Sequence, residues 1–107
     1  METSLLQVTT TLPSEVQAQE LGQILVEERL AACAQTSGPI VSHFFWKDEY
    51  CEETEWRLTL KTQASRYGDL EERIKELHPY ELPQIIAVKI AQAYLPYEDW
   101  VKHNTED

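Results

Sequence analysis

The 107-residue sequence predicts an α+β fold in which two long helices pack on one face of a single antiparallel sheet. Two observations predict it. Apolar, β-branched segments alternate with segments of helical periodicity in the order strand, helix, strand, strand, helix, strand, and a short terminal helix follows. The two central strands are long and are joined by a tight turn. This order is the split βαβ arrangement of ferredoxin-like βαββαβ sandwiches.

The first strand and the first helix are delimited by composition. Residues 5–11 are rich in Leu, Val and Thr, which favours a strand. Pro13 and Ser14 then predict a helix start, because Pro suits the first helical turn and Ser14 with Gln17 forms a capping box. This helix is expected to run to about residue 31. Its apolar face consists of Ala18, Leu21, Ile24, Leu25 and Ala32.

Residues 41–62 are interpreted as two strands folded back around Lys47-Asp48-Glu49. Gly38 and Pro39 predict a bulge before the first arm, which begins near Cys33. The turn is expected to pair Trp46 with Glu49, which fixes the two faces of the hairpin. The face expected to meet the core carries Val41, His43, Phe45, Tyr50, Trp56, Leu58 and Leu60. The face expected to be mostly exposed carries Phe44, Trp46, Glu49, Cys51, Glu53, Glu55, Arg57, Thr59 and Lys61.

The predicted hairpin is too long for a domain of this size. Arms of about 13 residues reach about 40 Å at roughly 3.3 Å per residue. A compact domain of this length has a diameter of roughly 34 Å. The outer end would therefore leave a patch of aromatic side chains in water unless other copies of the chain cover it. These expected subunit-interface residues are Phe44, Phe45, Trp46 and Tyr50.

The second half of the fold is delimited in the same way. Ser65 is expected to cap a second helix, and His78-Pro79 ends it because the residue before Pro is disfavoured in a helix. Residues 85–91 form an apolar fourth strand, and Pro96 opens the terminal helix. The apolar stripe of the second helix is Tyr67, Leu70, Ile74 and Leu77.

Composition predicts one cytoplasmic domain spanning residues 1–107. The net charge of −10, with nine scattered basic residues, argues against binding to nucleic acid or to an anionic membrane surface. No apolar run approaches the roughly 18 residues of a membrane span, and the first residues lack a signal-peptide pattern. In an intracellular chain, Cys33 and Cys51 would stay reduced.

Enzymatic activity is not expected. Three glycines leave no Gly-rich phosphate loop. A Cys33 nucleophile would need a neighbouring base, and the pattern places neither His43 nor His78 beside it. The sequence therefore predicts a non-enzymatic protein without an organic cofactor.

Several short motifs occur in order along the chain, namely Leu30-Ala31-Ala32-Cys33-Ala34, Phe45-Trp46, Glu55, Lys61-Thr62, His78-Pro79-Tyr80-Glu81-Leu82-Pro83, Tyr94-Leu95 and Trp100. Together they resemble the motifs of the CutA-like divalent-cation tolerance proteins. The resemblance covers nearly the whole chain in order, and it implies a ferredoxin-like subunit, a homotrimer whose long hairpins pack on their neighbours, and a link to divalent-metal tolerance. In one departure, Asp48 stands where the family tends to have Gly.

The resemblance draws attention to three candidate metal ligands. Cys33 is either a small buried hydrophobe or a soft thiolate ligand for copper. His78 is either a helix C-terminal cap or an imidazole ligand. Glu81 lies in the same Pro-bracketed loop, where it holds the loop against a neighbour, lines a cleft there or supplies a carboxylate ligand. We expect copper or another divalent cation, if bound at all, to be held weakly at subunit contacts by Cys33, His78 and Glu81.

Two alternatives stay open. Trp46, Lys61 and Tyr80 are candidates for a cleft between subunits that binds a small ligand in a signalling module. In the second alternative, the protein is a scaffold whose role is to form a very stable assembly. The acidic residues of the hairpin either attract hard cations or keep exposed strands from pairing edge to edge, and Cys51 lies among them. They are Asp48, Glu49, Glu52, Glu53 and Glu55.

Overall fold

A computed structural model describes residues 3–106, so that Met1, Glu2 and Asp107 of the predicted domain lie outside the described residues. All strand pairs are antiparallel, in the sheet order β2-β3-β1-β4. This confirms the predicted ferredoxin-like fold. The elements are β1 (Leu5–Leu12), α1 (Glu15–Glu27), β2 (Cys33–Trp46), β3 (Glu49–Gln63), a 3₁₀ turn (Ala64–Arg66), α2 (Tyr67–Leu77), β4 (Ile86–Lys89) and α3 (Leu95–Asn104).

The start of α1 is as predicted, and its end is not. The Ser14 hydroxyl accepts a hydrogen bond from the Gln17 N–H at 3.1 Å. The helix ends at Glu27 rather than near residue 31. Arg29 adopts a left-handed conformation with φ of 61°, and the Leu30 N–H turns back to the Leu25 carbonyl oxygen at 3.0 Å. The chain therefore leaves the helix before the apolar pattern ends.

The entry to α2 also differs from the prediction. Ser65 lies inside the 3₁₀ turn, so the predicted Ser65 cap is wrong. The Tyr67 N–H bonds to the Ala64 carbonyl oxygen, and this turn leads directly into the helix. The end of α2 at Leu77, before His78-Pro79, is as predicted. The fourth strand is shorter than expected, covering Ile86–Lys89.

The core lies between the sheet and the two long helices. Most of its side chains are completely buried, and partly buried ones such as Leu6, Trp56 and Tyr67 pack at its margin. On the opposite side of the sheet, α3 covers a smaller cluster of Leu5, Ala32 and Val101. The main cluster includes Val8, Leu12, Ala18, Leu25, Leu58, Leu60, Leu70 and Ile74.

The hairpin register is the predicted one. Trp46 pairs with Glu49 and Phe45 with Tyr50. Lys47 and Asp48 form the two-residue turn, with φ of 51° and 65°. Positive φ at both central residues is the type I′ geometry that matches the twist of the two arms.

The predicted bulge is present as a register shift between Ser37 and Ile40. Gly38 has φ of 150°, a conformation that side chains rarely adopt. A Cβ atom at this position would lie 2.8 Å from Cδ1 of Trp56. The bulge therefore requires Gly38 because the Trp56 indole packs directly against its backbone.

The hairpin extends beyond the helices and gives the chain dimensions of 45 × 26 × 22 Å. Leu58 and Leu60 reach the core, whereas Phe45 is 75% exposed and Tyr50 is 58% exposed. The expectation that this whole face meets the core is therefore wrong for its outer half, because α1 and α2 end before they reach it. None of the described helices is both long and apolar enough to span a bilayer.

Candidate functional site

A cavity of about 410 Å³ lies between the outer half of the hairpin and the loop that follows α2. We call it the hairpin groove. Alternate residues of one hairpin face form one wall, since side chains two apart on a strand point the same way. The chain after His78 forms the other wall. The lining residues are Pro13, Phe44, Trp46, Cys51, Glu53, Thr54, Glu55, Tyr80, Glu81 and Leu82.

A buried carboxylate lies in the wall of the groove. Glu55 is 7% exposed, and its Oε2 accepts a hydrogen bond from the Tyr80 hydroxyl at 2.7 Å. Burial raises the pKa of Tyr80, and the hydrogen bond to Glu55 and the charges of Glu55 and Glu53 raise this pKa further. The phenol therefore stays protonated and donates to the carboxylate. The sequence placed Glu55 on an exposed face, which is wrong because the loop carrying Tyr80 folds over it.

His78 orients this loop from inside the fold. Its Nε2 lies 2.9 Å from the Thr11 carbonyl oxygen and 3.1 Å from the Thr10 hydroxyl. Its Nδ1 accepts a hydrogen bond from the Tyr80 N–H at 3.2 Å. Because a carbonyl oxygen only accepts, Nε2 carries the proton and the imidazole is neutral. Burial lowers the pKa of His78, which favours the same neutral state, although the bond to Thr11 and the charge of Glu55 oppose that shift.

A lysine closes the outer end of the groove. The Lys47 Nζ lies 3.6 Å from Oε2 of Glu81 and 5.6 Å from the centroid of the Trp46 ring. The second distance is within the range of a cation–π contact. Both the Lys47 and the Glu81 side chains are largely exposed. The chain thus places its own ammonium group between a carboxylate and an aromatic ring.

The three predicted metal ligands have different surroundings within one chain. Cys33 is half-buried, with its Sγ 3.6 Å from the Tyr97 hydroxyl. Burial and the Cys33 thiol raise the pKa of Tyr97 to about 12. His78 uses both ring nitrogens inside the fold, and Glu81 pairs with Lys47. Among residues 3–106, no group of three or more His, Cys, Asp or Glu side chains is placed to hold a metal ion.

The predicted ligand-cleft residues are brought together only in part. Trp46 and Tyr80 both line the hairpin groove. Lys61 does not, and its Nζ donates to Oε1 of Gln35 at 2.7 Å. The sequence interpretation did not place Glu55 in the cleft. Two sequence features could have placed it there. Glu55 belongs to the motifs shared with the family, and strand alternation puts it on the same hairpin face as Cys51.

The predicted interface aromatics divide between the two hairpin faces. Phe44 and Trp46 line the groove. Phe45 and Tyr50 lie on the opposite face with their rings edge to face at 6.0 Å, and the Tyr50 hydroxyl is 2.7 Å from Nδ1 of His43. The hairpin therefore exposes aromatic surface on both sides.

A second apolar surface lies on the sheet face away from α1 and α2. Ile86 and Val88 project from β4 and are 51% and 55% exposed. At the start of α3 and along it, Tyr94, Leu95 and Trp100 are also exposed. Surfaces of this kind commonly mark contacts with other protein chains.

Comparison with known proteins decides the family. Residues 6–104 match the sequence model of the CutA1 divalent ion tolerance protein family. The chain belongs to this family. The Thermus thermophilus divalent-cation tolerance protein CutA is 42% identical over 98 residues, covering 92% of this chain and 95% of that protein.

Solved CutA structures share the fold. The T. thermophilus divalent cation tolerance protein has a TM-score of 0.92 at 40% identity, covering 95% of this chain and 99% of that one. The periplasmic divalent cation tolerance protein CutA from Archaeoglobus fulgidus has a TM-score of 0.91 at 28% identity, covering 95% of this chain and 99% of that one.

Proposed function

We propose that this CutA1-family chain acts in divalent-cation tolerance as a non-enzymatic homotrimer in the cytoplasm. The observation that carries the trimer proposal is the exposed aromatic end of the hairpin, where Phe45 is 75% exposed. Burial of such side chains against a sister chain contributes about 1.5–3 kcal/mol each. The exposed surface around Ile86 and Val88 supports a second contact area.

We propose that copper or another divalent cation binds weakly where subunits meet. Within residues 3–106 no group of three or more ligands is placed to hold an ion, so a metal site would need side chains from more than one chain. Cys33 and Glu81 are accessible enough to contribute. His78 would have to give up hydrogen bonds to Thr11 and Tyr80, so it is the weakest of the three proposed ligands.

Calorimetric copper titration of the assembled protein tests this proposal. Cys33→Ser and Glu81→Gln are expected to weaken binding at least tenfold. Cys51→Ser is the matched control, because it removes the other free thiol. The control matters because copper binds almost any nitrogen or sulfur site. Equal weakening in all three variants, or in none, would remove Cys33 and Glu81 from the proposed site.

A second function is supported by the hairpin groove. Its volume of about 410 Å³ is within the range of small-molecule sites, and it contains the predicted residues Trp46 and Tyr80. We propose as the alternative a signalling module that binds a small ligand in this groove, with a neighbouring subunit completing it. A metabolite panel should then raise the melting temperature where divalent metals do not, and Trp46→Ala should abolish the rise.

Cytoplasmic location is a separate proposal with its own test. The two free thiols suit a reducing compartment. The A. fulgidus relative is named as a periplasmic protein, so the location of this chain needs a direct test. Cell fractionation with antibodies against this chain should place it with cytoplasmic markers, and its recovery with secreted markers would contradict the proposal.

A further inference from the structure

We infer that the hairpin groove binds a small primary ammonium compound, held between aromatic rings and the Glu55 carboxylate. This inference rests on the alternative function proposed above and names the ligand class. It is carried by the chemistry of the lining, by the burial of Glu55 and by the position of Lys47.

The residues that line the groove favour a ligand that is both positively charged and partly apolar. Phe44, Trp46 and Tyr80 supply aromatic rings, while Glu53, Glu55 and Glu81 supply carboxylates. Among the described residues, no Lys, Arg or His lines the cavity itself, and Lys47 at its outer end is already paired with Glu81. A phosphate or carboxylate ligand would therefore meet like charge. Aromatic faces next to carboxylates are instead the surroundings that attract organic cations.

Glu55 gives the groove a buried anchor. Its carboxylate is 7% exposed, and the Tyr80 hydroxyl donates to it at 2.7 Å. Among the ion pairs of residues 3–106, none involves Glu55. A buried carboxylate without a cation is costly, so an arriving ammonium gains more there than at an exposed acid. Because an N–H is needed to donate to Glu55, a primary ammonium fits better than a quaternary one.

A bare metal ion does not fit these surroundings. The described carboxylates and the Cys51 thiol are not arranged as a group of three ligands. A cavity of about 410 Å³ is also far larger than an ion needs. The aromatic rings, which contribute nothing to a hard cation's ligand shell, add binding area for an alkyl chain.

The contacts of Lys47 show that the groove lining attracts a primary ammonium group. Its ammonium lies 3.6 Å from Glu81 and 5.6 Å from the centre of the Trp46 ring. The groove's outer end thus already holds a primary ammonium between a carboxylate and an indole. Lys47 should compete with a free ligand for Glu81 and Trp46.

The test is a calorimetric titration of the assembled protein with 1,4-diaminobutane. 1,4-Butanediol and butanedioate serve as neutral and anionic probes of the same length. The diamine is expected to bind, and the other two probes are not. Equal binding by the diol or the dicarboxylate would overturn the inference while leaving a groove ligand possible. If none of the three binds but another metabolite binds through Trp46, the ammonium inference fails and the alternative function stands.

Three variants locate the binding. Glu55→Gln keeps an oxygen that can accept from Tyr80 and removes the charge, so it should weaken diamine binding at least tenfold. Glu52→Gln is the matched control: it makes the same change on the opposite hairpin face, paired with His43, and should leave binding unchanged. Lys47→Asn suits the left-handed turn and removes the competing ammonium, so it should strengthen binding several-fold. Equal weakening by Glu55→Gln and Glu52→Gln would show non-specific charge attraction and overturn the inference.

Discussion

The two ends of the long hairpin have the same strand geometry and opposite surroundings. At the inner end, Leu58 and Leu60 are completely buried beneath α1 and α2. At the outer end, on the same face, Phe45 and Tyr50 are mostly exposed. The inner half is therefore stabilised by packing within one chain, whereas we propose that the outer half is stabilised by contacts with sister chains.

The largest effect is expected at the inner end. Leu60→Ala removes a fully buried side chain and should lower the free energy of unfolding by about 2–5 kcal/mol. Chemical denaturation at fixed protein concentration measures it. Val16→Ala is the control, because Val16 is 61% exposed on α1 and should change stability by less than about 0.5 kcal/mol. Equal effects of the two substitutions would contradict the assigned core.

The next largest effect is expected at the outer end of the hairpin, on the association of chains rather than on the stability of one chain. Phe45→Ala removes little burial within one subunit, so it should leave the fold of the subunit intact. It should weaken association by about 2 kcal/mol for each contact, as removal of a buried aromatic anchor does. Light scattering over a dilution series should show dissociation at higher concentration than in the unsubstituted protein. If association is unchanged, Phe45 is not an interface residue.

A smaller effect is expected at the start of α1. Ser14→Ala removes the hydroxyl that accepts from the Gln17 N–H and should cost about 1 kcal/mol of stability. Association should not change, since the cap lies at the start of α1. Thermal unfolding and light scattering on the same sample separate the two quantities. A change in mass would show that the two regions are coupled.

The smallest effect is a pH dependence from His78. Burial lowers its folded-state pKa, so the unfolded chain takes up the proton first as the pH falls below about 6.5. His78 therefore makes its full contribution to the free energy of unfolding above about pH 6.5. This contribution decreases as the pH falls from there to the folded-state pKa of His78. In His78→Gln, unfolding free energies should vary less across this window. His103→Gln is the control, because the His103 side chain is 77% exposed. An unchanged slope in His78→Gln would contradict the neutral buried imidazole.

The regular part of the fold was predictable because it follows from local chemistry. Ser14 was predicted to cap α1, and its hydroxyl accepts from the Gln17 N–H, while strand alternation predicted the pairing of Trp46 with Glu49. The end of α1 was not predictable, because the apolar pattern continues past Arg29 while the backbone turns left-handed there.

Of the residues that line the groove, only the aromatic ones could be identified from the sequence. Trp46 and Tyr80 were identified by their type and by the family resemblance. The burial of Glu55 depends on where the loop after His78 folds, and that loop has no periodicity from which its path can be predicted. Contacts between loops and strands that are 25 residues apart, such as Tyr80 with Glu55, follow from tertiary packing alone.

The central claim is that sister chains cover the exposed outer end of the hairpin. Light scattering coupled to size exclusion at micromolar concentration tests it most directly. The expected mass is three times that of the 12.4 kDa chain, with cooperative unfolding that depends on protein concentration. A folded species with the mass of one 12.4 kDa chain under these conditions would contradict the claim.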